Sequence, residues 1–392
     1  MKRENGGKNI FFLGLVSLFT DLSSQMIYPL IPEFLVSLGA NKSVIGLIEG
    51  IAESVASLFR AVFGKWSDKI KKRKLFIFFG YGLSAFSKPF LYFANVWTVV
   101  LAVRFSERMG KAIRNPARDA LISTSVSPDK KGKAFGFHRA MDRIGALGGP
   151  LLAILVLNAF ENNVRIVFLA AVIPAVIALV FIAFAKESRR EKTGVKMPGA
   201  TASLRSPAFM LFVVAIVVFT LGNSSNAFLI LKAREAGLSI AWIPGIWMLY
   251  NFFCVLSSPV FGTLSDRWGR KSIIIVSFVY YSALYFLFGI AQSLWLIWVL
   301  FAAYGIYYGL SDGVFRAYIA DLVGEDKRAT AYGIFNTAIG LALLPASLMM
   351  GAMWDHFGSR WAFFVSASFS LLGFLIFLFG VILRPGRKKR DA

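Results

Sequence analysis

The sequence predicts an all-α protein that crosses a membrane many times. Its 392 residues are 57% hydrophobic and only 16% charged, and the mean hydropathy is +0.65. A soluble domain of this size carries more charge. Many segments also reach the roughly 20 apolar residues that a helix needs to cross a bilayer. Composition and segment length together predict a polytopic helical membrane protein.

Twelve apolar segments are long enough to be spans. They cover roughly residues 10–37, 43–63, 75–94, 97–122, 133–159, 164–184, 207–231, 241–264, 272–291, 294–320, 329–354 and 361–383. Lys and Arg outside these spans concentrate in the two chain ends and in the even-numbered gaps. The positive-inside rule therefore predicts that both ends are cytoplasmic. The same rule explains the net charge of +22, so we expect no nucleic-acid partner.

A polar, basic segment at residues 186–206 divides the chain near its middle, and the two sides repeat each other. Gly64 and Asp68 recur as Gly262 and Asp266, and residues 128–136 recur as 325–333. Two parallel six-span halves are a transporter architecture, with the binding site between them near the membrane midplane. We predict a six-helix bundle at 1–185, a cytoplasmic linker at 186–206 and a second bundle with a short basic tail at 207–392.

The fourth span carries a charged face on an otherwise apolar helix. Arg104, Arg108, Lys111 and Arg118 fall within an arc of roughly 80° when each residue turns the helix by about 100°. A charge at the bilayer centre costs roughly 2.5–3.5 kcal/mol on insertion scales, so these side chains face protein or water. For Arg118 and its neighbour Asp119, a structural ion pair near the helix end is the alternative interpretation.

The second repeated loop carries a recognisable signature. Residues 262–271 read Gly-Thr-Leu-Ser-Asp-Arg-Trp-Gly-Arg-Lys, which includes Gly262, Asp266, Arg267 and Arg270. This run resembles Gly-x-x-x-Asp-Arg-x-Gly-Arg-Lys, the loop signature of the major facilitator superfamily. The resemblance implies the twelve-helix fold of that family, with two six-helix bundles and both termini in the cytoplasm.

The first copy of the loop begins with Gly64 and Asp68 but departs from the signature, because Lys69 and Lys71 replace an Arg and a Gly. The resemblance implies a gating role for this loop and its counterpart, in which Asp68 caps a helix of the other half. A carboxylate is favourable at the positive N-terminus of a helix, here that of span eleven. We place Arg118 and Asp119 in the same gate. The alternative interpretation of residues 69–74 is a positive-inside anchor.

A glycine pattern in span five narrows the resemblance. Gly136, Gly145, Gly149 and Pro150 match the antiporter motif of the proton-coupled drug exporters, although the family's two final glycines are absent. Small residues at this spacing also allow close helix packing, which is the alternative interpretation. Arg104 matches the arginine of the family's proton-transfer motif.

Acidic and basic residues within the first six spans are the candidates for proton coupling. A carboxylate that is buried beside an arginine can gain or lose a proton as a cavity opens and closes. The candidates are Asp21, Glu49, Glu53, Arg104, Arg108 and Asp142, with Asp21 ranked first and Glu53 second. A static buried salt bridge is the alternative. Lys88, in span three, is expected to extend its ammonium to the outer membrane boundary.

The second half offers amides and phenols instead of charges, so we expect it to supply apolar and hydrogen-bonding surface to the solute. The predicted substrate-binding residues are Asp21, Gln25, Arg108, Lys111, Asn223, Asn226, Tyr304 and Tyr308. For the tyrosines of span ten, helix packing is the alternative interpretation.

Several function classes are excluded by motifs that the sequence lacks. It has no Gly-x4-Gly-Lys-Ser/Thr loop for nucleotide phosphates and no Cys/His cluster with metal-ligand spacing. It also offers no nucleophile and base pair. We therefore expect no cofactor, no metal and no enzymatic activity.

The resulting prediction is a proton-coupled secondary transporter that moves a small organic solute by alternating access, with efflux by proton antiport as the first candidate. The net positive face of span four favours the alternative, uptake or exchange of an anionic metabolite or siderophore-like compound. A membrane sensor that transports nothing is a third reading. The expected partners are a small solute, protons and lipid, and we expect a monomer in the cell membrane of a prokaryote.

Overall fold

A computed structural model describes residues 4–70, 72–127, 130–187, 206–324 and 327–382. Within these ranges every regular element is a helix, so the predicted all-α class is confirmed. Most of the predicted linker, residues 188–205, lies outside the described ranges, and so do Lys71 and the starts of the repeated segments at 128–129 and 325–326.

The helices overlap the predicted spans, although α1 begins six residues earlier and α3 ends seven residues later than predicted, and some spans contain breaks. The first part of the chain contains α1 (Glu4–Ile27), α2 (Ile31–Ser37), α3 (Lys42–Ile70), α4 (Arg73–Ser87), α5 (Phe90–Phe93), α6 (Trp97–Ser125), α7 (Lys131–Ala159), α8 (Val164–Ala170) and α9 (Val172–Phe184). The second part contains α10 (Pro207–Leu221), α11 (Ala227–Glu235), α12 (Ile243–Trp268), α13 (Arg270–Ile290), α14 (Leu294–Leu322), α15 (Arg328–Phe357) and α16 (Ser359–Phe377).

Eight helical segments of the described chain are long and apolar enough to cross a membrane, which makes this a multi-pass membrane protein. The helices α3 and α6 are not among them although each is 29 residues long. The charged face of each helix lowers its mean hydropathy. A charge that faces lipid is costly, so these faces turn toward protein and water. The count of twelve spans, the orientation of the termini and the domain boundaries stay predictions.

The first span of each chain half is broken near its middle. A 3₁₀ turn at Tyr28–Leu30 separates α1 from α2, and Pro29 within it has no N–H to continue the α-helical ladder. Residues 222–226, which read Gly-Asn-Ser-Ser-Asn, separate α10 from α11. Non-helical backbone at this depth is tolerated only where protein or a cavity can satisfy its polar groups.

The two chain halves contact each other mainly through α3 with α15 and α7 with α12. Glycines allow the backbones of α3 and α15 to approach closely. A Cβ at Gly50 would lie 2.8 Å from Leu344 Cδ1, and a Cβ at Gly340 would lie 2.5 Å from Ser57 Cβ. The Ser54 hydroxyl donates to the Gly340 carbonyl at 2.6 Å, which ties the two helices together at the same level.

Polar contacts between the halves close one end of the molecule. We call it the far end, because it holds the α2–α3 and α15–α16 turns, whereas residues 4 and 382 lie at the termini end. Asp355, near the end of α15, accepts backbone hydrogen bonds from Lys42 at 2.9 Å and Ser43 at 2.8 Å at the start of α3. Arg234 pairs with Glu33 at 2.9 Å across the same end.

Candidate substrate cavity

A cavity of about 720 Å³ lies between the two chain halves. The helices α1, α3, α6 and α7 line one wall, and α10, α12, α14, α15 and the 222–226 break line the other. This volume is within the usual range for small-molecule sites, roughly 300–1,000 Å³. All eight predicted substrate-binding residues line it.

Basic side chains outnumber acidic ones in the cavity wall. The bases are Arg60, Arg104, Arg108, Lys111, Arg114, Arg139, Arg143 and Arg316, and the acids are Asp21, Glu53, Glu107, Asp142 and Asp312. All except Asp312 and Arg316 come from the first half of the chain. The charged face of α6 therefore opens onto the cavity, together with charges from α1, α3 and α7.

A buried ion-pair cluster lies in the part of this wall that is nearest the far end. Arg104 binds both oxygens of Glu49, at 2.8 and 2.7 Å, and donates to Glu107 at 2.9 Å. The guanidinium also lies over the ring of Tyr28, 5.2 Å from its centroid. Ser225 in the α10–α11 break donates to Glu49 at 3.3 Å, so the cluster reaches across to the other half.

One helical turn along, Arg108 forms an ion pair with Glu53, and both residues line the cavity. The pair is more exposed than the Arg104 cluster. The Nε atom of Arg108 is buried and has no hydrogen-bond partner, and the same is true of the Nε atom of Arg60 on α3. Two guanidinium groups of the wall thus retain unused donors.

Asp21, a predicted proton-coupling residue, and Lys111, a predicted substrate-binding residue, have neither a hydrogen bond nor an ion pair within the described part of the chain. Both line the main cavity and also a recess of about 170 Å³ that adjoins it. Asp142 lines the same recess but is held by the Ser17 hydroxyl and lies 3.5 Å from His138 Nδ1. Of the predicted proton-coupling carboxylates, Asp21 is therefore the one without a fixed partner.

The opposite wall is aromatic and amide-rich. The Tyr304 hydroxyl donates to Asn226 Oδ1 at 2.8 Å, and the Tyr304 ring stacks on Tyr250 with 5.4 Å between centroids. Trp247 Nε1 donates to Gln25 Oε1 at 2.7 Å, which joins the two walls at the far end of the cavity. Sequence reasoning missed Trp247 and Tyr250, because neither stands out from the many buried aromatic residues of an apolar helix.

The predicted gating residues pair within their own halves. Arg73 lies 3.7 Å from Asp68 and donates to the Ala120 carbonyl at 3.0 Å. Arg270 repeats this arrangement, since it lies 3.7 Å from Asp266 and donates to the Ala317 carbonyl at 2.8 Å. Arg118 pairs with Asp119 at 3.0 Å, which is the structural alternative considered for these two residues.

The remaining gating residues lie in the helices that lead into the loops. Gly262 and Arg267 are in the last turns of α12, and Gly64 lies in α3 beside Pro116 of α6, which a Cβ would meet at 3.5 Å. Gly269, between α12 and α13, has a φ of +86°, a backbone conformation that favours glycine. This explains the second glycine of the loop signature.

Two of the three glycines in the span-five motif lie against α1. A Cβ at Gly145 would be 2.5 Å from the Leu18 carbonyl and 2.9 Å from Asp21 Cβ. A Cβ at Gly149 would be 2.6 Å from the Leu22 carbonyl, whereas one at Gly136 would meet nothing within 4 Å. The motif therefore lets α7 approach α1 closely beside Asp21. Pro150 is buried within α7.

One expectation is wrong. Lys88, at the break between α4 and α5, does not extend to a membrane boundary, because its side chain is only 2% exposed. Its ammonium donates to Ser23 at 2.6 Å and to Ser24 at 3.2 Å. Sequence position alone could not reveal this, since the hydroxyls that hold Lys88 belong to α1.

Comparisons with known proteins agree with this architecture. The family model for the Major Facilitator Superfamily matches residues 13–250 and 211–392. An uncharacterised MFS-type transporter of Methanocaldococcus jannaschii is 35% identical over 381 residues, which is 95% of this chain and 94% of that one. The multi-drug resistance efflux pump PmrA of Streptococcus pneumoniae is 23% identical over 307 residues, 75% of this chain and 76% of the pump.

Among solved structures, a bacterial homologue of the human lysosomal transporter Spinster matches with a TM-score of 0.78. The match covers 96% of this chain and 97% of that one at 13% identity, so it bears on the fold alone. The family model and the archaeal relative each span nearly the whole chain, and the cavity lies between the two halves as it does in a transporter. This chain belongs to the major facilitator superfamily of membrane transporters.

Proposed function

We propose that this chain is a proton-coupled secondary transporter that moves a small organic solute by alternating access. The observation that carries the proposal is the unpaired carboxylate of Asp21 in a cavity shared by both halves. A carboxylate without a fixed counter-charge can exchange its proton with the water on the side to which the cavity opens. Lys111, Arg114 and Arg118, which line the same recess, supply charges that change its proton affinity.

The distribution of contacts between the halves supports alternating access. The far end is closed by Asp355 on the start of α3 and by the Arg234 and Glu33 pair. At the termini end, Asp68 and Asp266 pair within their own halves. If the termini are cytoplasmic, as predicted, this arrangement corresponds to a state open to the cytoplasm.

Efflux by proton antiport is the first candidate for the coupling. It is supported by the similarity to a multi-drug resistance efflux pump and by the span-five glycines. A solute cation and a proton would then compete for Asp21. The second candidate, proton symport or exchange of an anionic metabolite, is supported by the surplus of basic side chains in the cavity.

Proton flux in proteoliposomes tests the proposal. The wild-type protein, reconstituted with a pH-sensitive dye inside the vesicles, is expected to move protons when challenged with a panel of cationic, neutral and anionic solutes. Asp21→Asn should abolish this signal while the protein still inserts. Glu161→Gln, in the exposed α7–α8 loop, is the control. Proton coupling that persists in the Asp21→Asn variant would refute the role of Asp21.

A further inference from the structure

The charge surplus of the cavity is not neutralised by its own carboxylates. Glu53, Glu107 and Asp312 are each paired with an arginine of the cavity wall. In contrast, Arg143 and Lys111 have no hydrogen bond or ion pair among the described residues. Arg60, Arg114 and Arg139 of the wall are likewise in no ion pair among the described residues. Asp21 and Asp142 are the two acidic groups of the wall without an arginine partner, so five such bases face two such acids. The wall of the cavity therefore carries a net positive charge.

Two arginines of the wall also keep an unused donor. Arg60 and Arg108 both line the cavity, and each has a buried Nε–H without an acceptor. A buried donor without a partner is costly, and a bound acceptor that reaches it removes that cost. Arginine and lysine together suit a carboxylate or another acidic oxygen group.

The facing wall has a different chemistry. Tyr250 stacks on Tyr304, Trp247 lies 4.6 Å from Tyr250 between centroids, and Tyr308 completes the aromatic surface. Such a wall can bury a flat apolar group, and its phenols and the Asn226 amide can orient polar substituents. The cavity thus has a cationic wall and an aromatic wall on opposite sides.

We propose that the cavity binds an amphipathic organic anion, with its acidic group on the cationic wall at Lys111 and its aromatic or apolar part on the tyrosine wall. The proposal rests on the proposed transport function only in taking this cavity as the solute site. It commits the substrate to one charge class.

The position of Lys111 has a consequence for the coupling. Asp21 shares its recess with the bases Lys111, Arg114 and Arg118 and with the carboxylate of Asp142. An acidic group bound at Lys111 therefore adds negative charge near Asp21. Two negative charges in proximity repel each other, and protonation of Asp21 removes the repulsion. Anion binding and proton uptake therefore favour each other. An anionic solute would therefore be coupled to protons by symport, which belongs to the second candidate above, and not by antiport.

Binding of three probes with the same skeleton tests the charge class. We would titrate purified full-length protein with 4-phenylbutyrate, its neutral amide and 4-phenylbutylamine in a calorimeter. The carboxylate is expected to bind at least about tenfold more tightly than either analogue, because the charge-assisted hydrogen bonds are lost with the charge. Equal affinities, tighter binding of the amine, or no binding of the carboxylate would overturn the proposal.

Variants locate the contact. Lys111→Gln is expected to reduce carboxylate affinity by about tenfold and to leave amide affinity unchanged. Lys133→Gln, an exposed lysine of α7, is the matched control, and Arg143→Gln serves if the first variant unfolds. Wild-type affinity in both cavity variants would overturn the proposal. The assay needs no proton gradient, so anion binding without proton flux would refute the proposed coupling and leave this inference standing.

Discussion

The guanidinium of Arg104 binds both carboxylate oxygens of Glu49, and the two side chains are only 3% and 1% exposed. Glu49 itself does not line the cavity. It also accepts a hydrogen bond from Ser225 of the other half. We infer that this pair holds α3, α6 and the α10–α11 break together near the far end. The sequence predicts a proton-coupling role for both residues instead.

Glu49→Gln is therefore expected to destabilise the protein. The substitution removes the carboxylate that binds Arg104 at two atoms and leaves Glu107 as its ion-pair partner. Breaking a buried ion pair costs up to about 3–5 kcal/mol. Thermal unfolding of the purified protein in detergent measures the loss. Replacing Glu49 and Arg104 by leucine and Glu107 by glutamine in one variant should recover much of the stability, because no lone charge then remains. A single variant as stable as the wild type would contradict the structural role.

Sequence reasoning named the four members of the two ion pairs as candidates but did not predict how they pair. Glu49 and Glu53 lie one turn apart on α3, and Arg104 and Arg108 lie one turn apart on α6. Either register satisfies that spacing, since both helices present their charges at the same interval. The relative shift of the two helices decides which pairs form. That shift depends on packing contacts, such as that of Gly64 on α3 with Pro116 on α6, that the sequence pattern does not specify.

A second prediction concerns the closed far end. Asp355 caps the first turn of α3 through the backbone N–H groups of Lys42 and Ser43, and it also accepts from the Ser43 hydroxyl at 2.6 Å. A carboxylate is favourable at a helix N-terminus. Asp355→Asn removes its charge and one acceptor, which costs roughly 0.5–2 kcal/mol for a cap. The conformation closed at the far end should lose population by up to about thirtyfold relative to the opposite one.

Distances between spin labels at the termini end measure this shift. Labels at Lys65→Cys on α3 and Thr330→Cys on α15, with Cys254 replaced by alanine, report how far the halves are apart there. Asp355→Asn is expected to increase the fraction of short distances. Glu161→Gln, which removes an exposed carboxylate at the far end, where Asp355 also lies, is the control. An unchanged distance distribution would argue against a latch at Asp355.

The span-five glycines provide a third prediction with a control in the same helix. A Cβ at Gly145 would approach the Leu18 carbonyl to 2.5 Å, whereas a Cβ at Gly136 has open space. Gly145→Ala should force α7 away from α1 and cost roughly 1–3 kcal/mol. Gly136→Ala should stabilise the helix by up to about 1 kcal/mol. Unfolding of both variants in detergent measures the difference in their stabilities. Equal stabilities would mean that α7 can move away from α1 without cost.

These glycines also show where sequence reasoning ended. The repeat of small residues predicted close helix contact, and the structure identifies α1 as the partner. The glycine pattern could not show that Asp21 lies beside this contact. Gly145 packs directly beside Asp21, so the motif and the leading proton-coupling candidate, named on separate grounds, lie at one helix contact.

Lys88 provides the last prediction, because it is a buried cation without a carboxylate within ion-pair distance in the described chain. Its ammonium is held by the hydroxyls of Ser23 and Ser24, and Ser23 in turn donates to the Ala171 carbonyl at 2.5 Å. Ser23 keeps that acceptor when the lysine is replaced. Lys88→Met retains the length of the apolar stem and removes the desolvated charge.

We expect Lys88→Met to be as stable as the wild type or more stable, by up to a few kcal/mol, because replacing buried charge with apolar volume is often favourable. Unfolding in detergent provides the measurement. Lys133→Met, at an exposed position of α7, should change stability by less than about 0.5 kcal/mol. If Lys88→Met instead loses more than about 1 kcal/mol, its hydrogen bonds to α1 outweigh the desolvation of the ammonium. If Lys88→Met is more stable than the wild type, the cation is kept at a cost to stability, and a role in transport would explain it. Transport by the same variant in proteoliposomes tests that role.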